Sequence, residues 1–249
     1  MLEFGKFSDF AEPEDYANLS RVFLDKGEYA QALSVMGNAR KAFDHSAEVR
    51  LHAAVMDSMI YAKAGDQAAA EQAFNEARTL FEDTARKPEA VALDMVHACY
   101  QLGDQATGEK IARNLVKDNH DNAAILKRTE QMFQRMGLHD QGKELINNSS
   151  REVIALNNRA VKLAQAGDLK GSVELLMQAA NQLGNNNVVV LNAAHAILTY
   201  IGQNGWDEAL AHVARGYLDA VRERDPEHKK YRMLATLYKD LSAKFGVKG

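Results

Sequence analysis

Histidine and cysteine are the side chains here best suited to ligate a metal or attack a substrate, and the chain carries eight of the first and one of the second. His52 and His97 can face a groove, but neither has a second His, Cys or carboxylate at a spacing that makes a metal site convincing. Cys99 cannot form an internal disulfide or found a zinc site by itself. As a nucleophile it would need a base that the sequence does not supply, so it reads as a small core residue on an apolar helix. The glycines stand singly at expected helix ends rather than in a phosphate loop, and no GxSxG, HExxH or CxxC motif occurs. These residues predict no catalytic group, no metal and no cofactor, and therefore a protein that is not an enzyme.

Charge narrows the partners. The formal net charge is -4 and the pI near 6.1, with no Lys/Arg concentration of the kind that tracks phosphates. The run Arg222, Arg224, His228, Lys229, Lys230 and Arg232 is interrupted by Glu223, Asp225 and Glu227, which reads as a solvated helix end. Nucleic acid is therefore not expected. No stretch approaches the roughly 20 apolar residues of a membrane span, and MLEFGKFSDF carries charges where a signal peptide needs an apolar run. With its lone cysteine, the chain is expected in the reducing cytoplasm. The MLEF opening reads as an arbitrary start, as of a piece cut from a larger protein.

The elements that must position any site are helices. Only three prolines occur, and Ala, Leu, Gln, Glu, Lys and Met dominate, residues that lose little entropy in a helix. A phrase recurs in which a helix-compatible run ends at Gly, a polar residue often follows, and a small residue comes a few positions later. It reads KGEYAQAL from Lys26, AGDQAAAEQAF from Ala64, LGDQATGEKI from Leu102, MGLHDQGKELI from Met136, AGDLKGSVELL from Ala166 and NGWDEAL from Asn204. Gly27, Gly65, Gly103, Gly137 and Gly167 lie 38, 38, 34 and 30 residues apart, and Trp206 opens the sixth copy. Each interval fits one helical hairpin.

The residue types have reasons. Gly ends a helix in a left-handed conformation that a Cβ opposes. The Asp or Glu after it caps the next helix at the positive end of its dipole. The small residue, Ala32, Ala70, Gly108, Gly142, Ser172 or Ala209, lets the two helices approach closely. Thirteen helices are expected, from 12–26 to 227–245, all within one domain over 1–249. Turn-forming NNSS separates helices 138–148 and 151–166 and offers a sub-array break near 147–150, with a further weak point at Gly184 to Asn187.

With Tyr16, Leu19, Phe23, Gly27, Tyr29, Ala32, Met36 and Ala39, the first copy resembles the tetratricopeptide repeat consensus, and the resemblance extends over about residues 12 to 216. Gly108 and Gly142 at the small position, and Thr129 where the family usually has Leu, depart from it. The resemblance implies an all-α, right-handed α-α superhelix of about six hairpins closed by a C-terminal capping helix. It also implies a concave groove lined by the first helix of each hairpin. Carried over by position, that groove comprises His52, Val55, Met59 and Lys63; Leu93, His97, Tyr100 and Gln101; Lys127, Gln131 and Arg135; Asn157, Val161 and Gln165; and Leu198 and Ile201. It would hold a protein or peptide partner. More narrowly, Leu156 to Leu198 with the closing helix EHKKYRMLATLYKDLSAKF resembles the C-terminal tetratricopeptide region of bacterial response regulators that carry an N-terminal receiver. That likeness implies an output module of two-component signalling. The alternative is a structural module that forms a homodimer through its terminal helix, whose Tyr231, Leu234, Leu237, Tyr238 and Leu241 share one side, or through an outer face.

Overall fold

A computed structural model describes residues 12–84 and 87–247; the opening stretch read above as an arbitrary start lies outside them. Among the described residues there are twelve helices and no strand, so the all-α expectation holds. They are α1 (Pro13–Asp25), α2 (Tyr29–Ala42), α3 (Ala47–Ala64), α4 (Gln67–Asp83), α5 (Glu89–Gln101) and α6 (Gln105–Asp118). The others are α7 (Ala123–Arg135), α8 (His139–Gln165), α9 (Leu169–Gln182), α10 (Asn187–Asn204), α11 (Glu208–Arg224) and α12 (Lys229–Lys244). None is long and apolar enough to cross a membrane.

The corners are built as their residue types dictate. Gly27, Gly65, Gly103, Gly137 and Gly167 all have φ between 75° and 86°, the left-handed region that an L side chain resists. At Gly65 its own N–H donates to the Ala62 carbonyl and the Asp66 N–H to that of Tyr61, which satisfies the free carbonyls of α3. The other four corners repeat both bonds. Asp66, which closes one helix, then caps the next by accepting from the Ala69 N–H. Asp104 and Asp168 do the same for α6 and α9, so a two-residue Gly-Asp corner ends one helix and starts another.

The small residues expected near the helix pairings are buried in five of the six copies. Ala32, Ala70, Gly108, Gly142 and Ser172 are all buried. A Cβ on Gly108 would lie 2.9 Å from the Tyr100 ring and 3.0 Å from the Cys99 Cβ, so α5 and α6 approach as closely as glycine permits. The sixth copy is different. Ala209 is exposed and Ala211 is the buried residue, because Trp206 adds one position between Gly205 and the capping Asp207. Counted from the cap, Ala211 aligns with Ala70 and Ser172.

A second correction concerns NNSS. Residues 147–150 do not turn; they lie inside α8, which runs unbroken for 27 residues, with Ser149 fully buried. Burial of one side of the helix outweighs the local preference of Asn and Ser for turns.

The chain forms two compact units, one of Met1–Leu115 and Arg128–His139, the other of Val116–Lys127 and Asp140–Gly249. In the first, α3 packs against α1, α2, α4 and α5, and α1 also touches α2. Eleven of the 18 residues of α3 are buried, so it has no free face and its sequence is apolar nearly all round. In the second, α10 holds the corresponding central place, packing against α9, α11 and α12. Leu191, Ile197, Leu198 and Ile201 of α10 meet Leu218 of α11 and Leu234 of α12 in one core.

Candidate functional site

Polar groups in the first unit gather where α1, α3 and α5 run side by side. Asp94, in the apolar run VALDMVHA of α5, is 8% exposed and needs partners. Arg21 of α1 supplies one, its Nη2 donating to Oδ1 at 2.7 Å and to Oδ2 at 2.5 Å. His52 of α3 supplies the other through Nε2, 2.9 Å from Oδ2. That nitrogen faces a carboxylate and so carries the proton. Burial pushes the Asp94 carboxyl up, but the His52 hydrogen bond and the Arg21 guanidinium outweigh it and hold the group below its ordinary range.

One and two turns further along α5, His97 and Gln101 continue the same face. Gln101 Nε2 donates to the Met59 carbonyl of α3 at 3.4 Å, while its buried Oε1 has no hydrogen-bond partner among the described residues. His97 is half-buried. Burial first, then the charges of Lys63, Arg21 and Arg135, hold its pKa down, against an opposing pull from Asp94. Tyr100 meets Phe133 of α7 edge-on with ring centroids 5.6 Å apart, which fixes α5 beside α7. A separate buried acid, Asp57 on α3, pairs with Arg40 of α2 at 2.6 Å. Burial nonetheless raises its pKa, and its Oδ1 has no partner among the described residues.

The second unit has its own polar line across alternate helices. Lys230 of α12 donates to Asn192 Oδ1 of α10, and Asn192 Nδ2 donates to Asn157 Oδ1 of α8 at 3.0 Å. The ammonium can only donate, so it sets the orientation of both amides. Elsewhere in this unit, Asn186 caps α10 through Oδ1 and donates from Nδ2 to the Lys117 carbonyl at 2.6 Å and to His120 Nδ1 at 2.8 Å. Beside it, burial pushes Asp118 up to about 6, partly offset by Asn185 and Arg224.

The expected groove residues divide. Lys63, Lys127, Gln131, Arg135, Val161 and Gln165 are exposed, and His97, Tyr100, Gln101 and Asn157 are half-buried. Val55, Met59, Leu93, Leu198 and Ile201 are not on an open surface; they are core residues at 7% exposure or less. His52, at 8%, is turned into the pairing with Asp94. The reason is shared: α3, α5 and α10 are covered on several sides, so positions that follow a repeat's inner face fall inside the packing. Arg21, Asp94 and the Arg40–Asp57 pair were not anticipated. The signal available was an aspartate inside an apolar run, in VALDMV and AVMDSM, since a buried carboxylate must find a cation.

Cys99 is fully buried, and burial, with the Asp104 charge, pushes its thiol up to about 12, which suits the core role expected of it. Compared with known proteins, the chain matches no family model and no curated sequence.

Proposed function

We propose that this chain is a non-catalytic scaffold whose hairpins stack as in a tetratricopeptide superhelix and hold a protein or peptide partner against the face shared by α1, α3 and α5. The observation that carries the reading is the Arg21–Asp94–His52 triad. It links three helices that are alternate in sequence, and the partly exposed His97 lies one turn beyond Asp94 on α5. A surface held by a buried ionic group keeps its shape before the partner arrives, which lowers the entropy lost on binding. The likeness of Leu156 to Leu198 and the closing helix to output regions of response regulators supports a place in bacterial signalling.

The test is site-specific photo-crosslinking in cells that express the chain, with benzoylphenylalanine at Lys63, Gln101 or Arg135 and, for comparison, at the exposed Glu71 and Asn75 of α4. The reading expects one protein adduct from the first three positions and not from α4. Equal adducts from both sets, or none from the first, overturn it.

A second reading rests on α12. Met233 is 54% exposed and Leu237, one turn on, is half-buried, an apolar strip that a second copy of the chain would cover. Sedimentation velocity from micromolar to near-millimolar protein decides it, since a monomer throughout removes self-association.

A further inference from the structure

We propose that a groove of the first unit, between α4 and the α5–α6 corner, binds a short free peptide of about three residues by its ammonium, its central apolar side chain and its carboxylate. The groove has a volume of about 460 Å³, inside the roughly 300–1,000 Å³ of small-ligand sites. One wall is a single stripe of α4, where Glu71, Phe74, Asn75 and Arg78 follow one another at the spacing of a helix face. Leu102 and Asp104 of the corner after α5 form the other. All of these residues belong to the same compact unit. The chemistry along the stripe is ordered. Glu71 stands at one end and Arg78, seven residues on, at the other, about 10 Å away at the rise of a helix. Between them lie the edge of Phe74 and the exposed Asn75, whose side-chain amide bonds to no other described residue.

Charge decides the occupant. Glu71, Asp104 and Arg78 line one groove, yet none of them forms an ion pair with another or with any other described residue. Glu71 accepts from Gln67 through Oε1 at 2.9 Å, and Asp104 caps α6 by accepting from the Thr107 N–H through Oδ1 at 3.3 Å. Each keeps its second oxygen, and Arg78 keeps its whole donor fork. An anion alone would meet two carboxylates here, and a cation alone would meet the guanidinium. A ligand with one charge of each sign satisfies both ends. An extended chain spans about 3.3–3.6 Å per residue, so three residues set an ammonium and a carboxylate about 10 Å apart, the separation of Glu71 from Arg78. The middle side chain then lies over Phe74 and Leu102, and the Asn75 amide offers a donor and an acceptor to the peptide groups. The scaffold reading expects no protein adduct from α4, so this small ligand and that reading stand or fall separately.

The experiment is a titration of the full 249-residue chain, followed by proton–nitrogen correlation spectra, with the peptide Ala-Leu-Ala. Its N-acetyl form, its C-terminal amide and the doubly blocked peptide serve as comparisons. The expected result is saturable shifts confined to amides around 71–78 and 102–104, with a Kd on the order of 0.1–1 mM. Each single block should weaken binding by about five-fold or more, and the doubly blocked peptide should move none of these signals. Arg78→Gln should bring the free peptide down to the affinity of its amide and leave the amide unchanged. Glu71→Gln should do the same with respect to the N-acetyl form. Both side chains are exposed, so far-UV circular dichroism should not change, and Lys239→Gln on α12 should leave all four affinities intact. No saturable shift with Ala-Leu-Ala overturns the proposal. So do equal shifts from the doubly blocked peptide, or an Arg78→Gln chain that still prefers the free acid to the amide.

Discussion

Removing Asp94 isolates the group on which the proposed surface depends. Asp94→Ala leaves the His52 ring, with about a tenth of its side chain exposed, and Arg21, 29% exposed, without their common acceptor. A buried donor left unmade costs about 1–3 kcal/mol, and breaking a buried ion pair about 3–5 kcal/mol. Arg21 recovers part of its solvation through its exposed edge, so we expect a net loss of about 2–4 kcal/mol. Asp94→Asn should cost less, about 1–2 kcal/mol. Its Oδ1 can still accept from Arg21, and its Nδ2 can donate to His52 after a tautomer change. Urea unfolding followed by circular dichroism at 222 nm measures the loss, and hydrogen exchange should place the lost protection in α1, α3 and α5. A double-mutant cycle with Arg21→Ala should return a coupling of about 1–3 kcal/mol. The pH dependence has a definite sign. Because the folded pKa lies below the unfolded one, the contribution is complete above the unfolded value of about 4 and disappears as pH falls through the folded value. The gap between wild type and Asp94→Ala should thus close in acid, as pH falls below about 4. A variant within about 0.5 kcal/mol of wild type, or a coupling near zero, refutes the reasoning.

Other residues yield sharper, smaller tests. Cys99, with its thiol pushed up to about 12, should not react with Ellman's reagent at pH 8 until urea unfolds the chain; prompt reaction of native protein contradicts its burial. Asp118 is raised to about 6, so wild type should gain stability relative to Asp118→Asn as pH falls from 7.5 toward 4.5, by up to about 2–3 kcal/mol; a loss over that range reverses the sign argued here. Ser149→Ala removes a buried hydroxyl with no partner among the described residues and improves helix propensity, and should raise stability by about 1 kcal/mol in urea. Gly108→Ala sets overpacking of about 1–3 kcal/mol against a propensity gain of about 1 kcal/mol, for a net loss of about 1 kcal/mol in the same assay.

What could be read from the sequence is what local chemistry decides. A Gly followed by Asp specifies a left-handed corner and a cap whatever surrounds it, and Gly65-Asp66, Gly103-Asp104 and Gly167-Asp168 behave accordingly. Counting from the glycine misplaced the sixth contact residue, because Trp206 lengthens that corner. Counting from the capping Asp207 finds Ala211. What could not be read depends on neighbours distant in the chain. Asn147 to Ser150 has turn-forming residue types, yet the burial of Ser149 draws it into α8. The inner face of α3 could not be separated from its core face, since AEVRLHAAVMDSMIYAKA is apolar on every side and positional transfer put Val55 and Met59 on the surface. Asp94 was visible as an anomaly, but its partner Arg21 lies 73 residues away.

The two buried acids of the first unit differ in how far their desolvation is repaid. Asp94 has two donors on two helices and is held below its ordinary pKa. Asp57 has Arg40 alone, retains an unmet Oδ1, and is raised. A fully paired carboxylate contributes little net stability over an apolar substitute, but it tolerates no slip between the helices that pair with it. At Asp94 those helices are α1, α3 and α5, so a shift of one turn would bury an unpaired charge at a cost far above that of shifting a leucine. In the first unit the apolar core holds the helices together, and this one carboxylate sets the register of α1, α3 and α5. The same register holds α5 so that His97, one turn beyond Asp94, stays partly exposed.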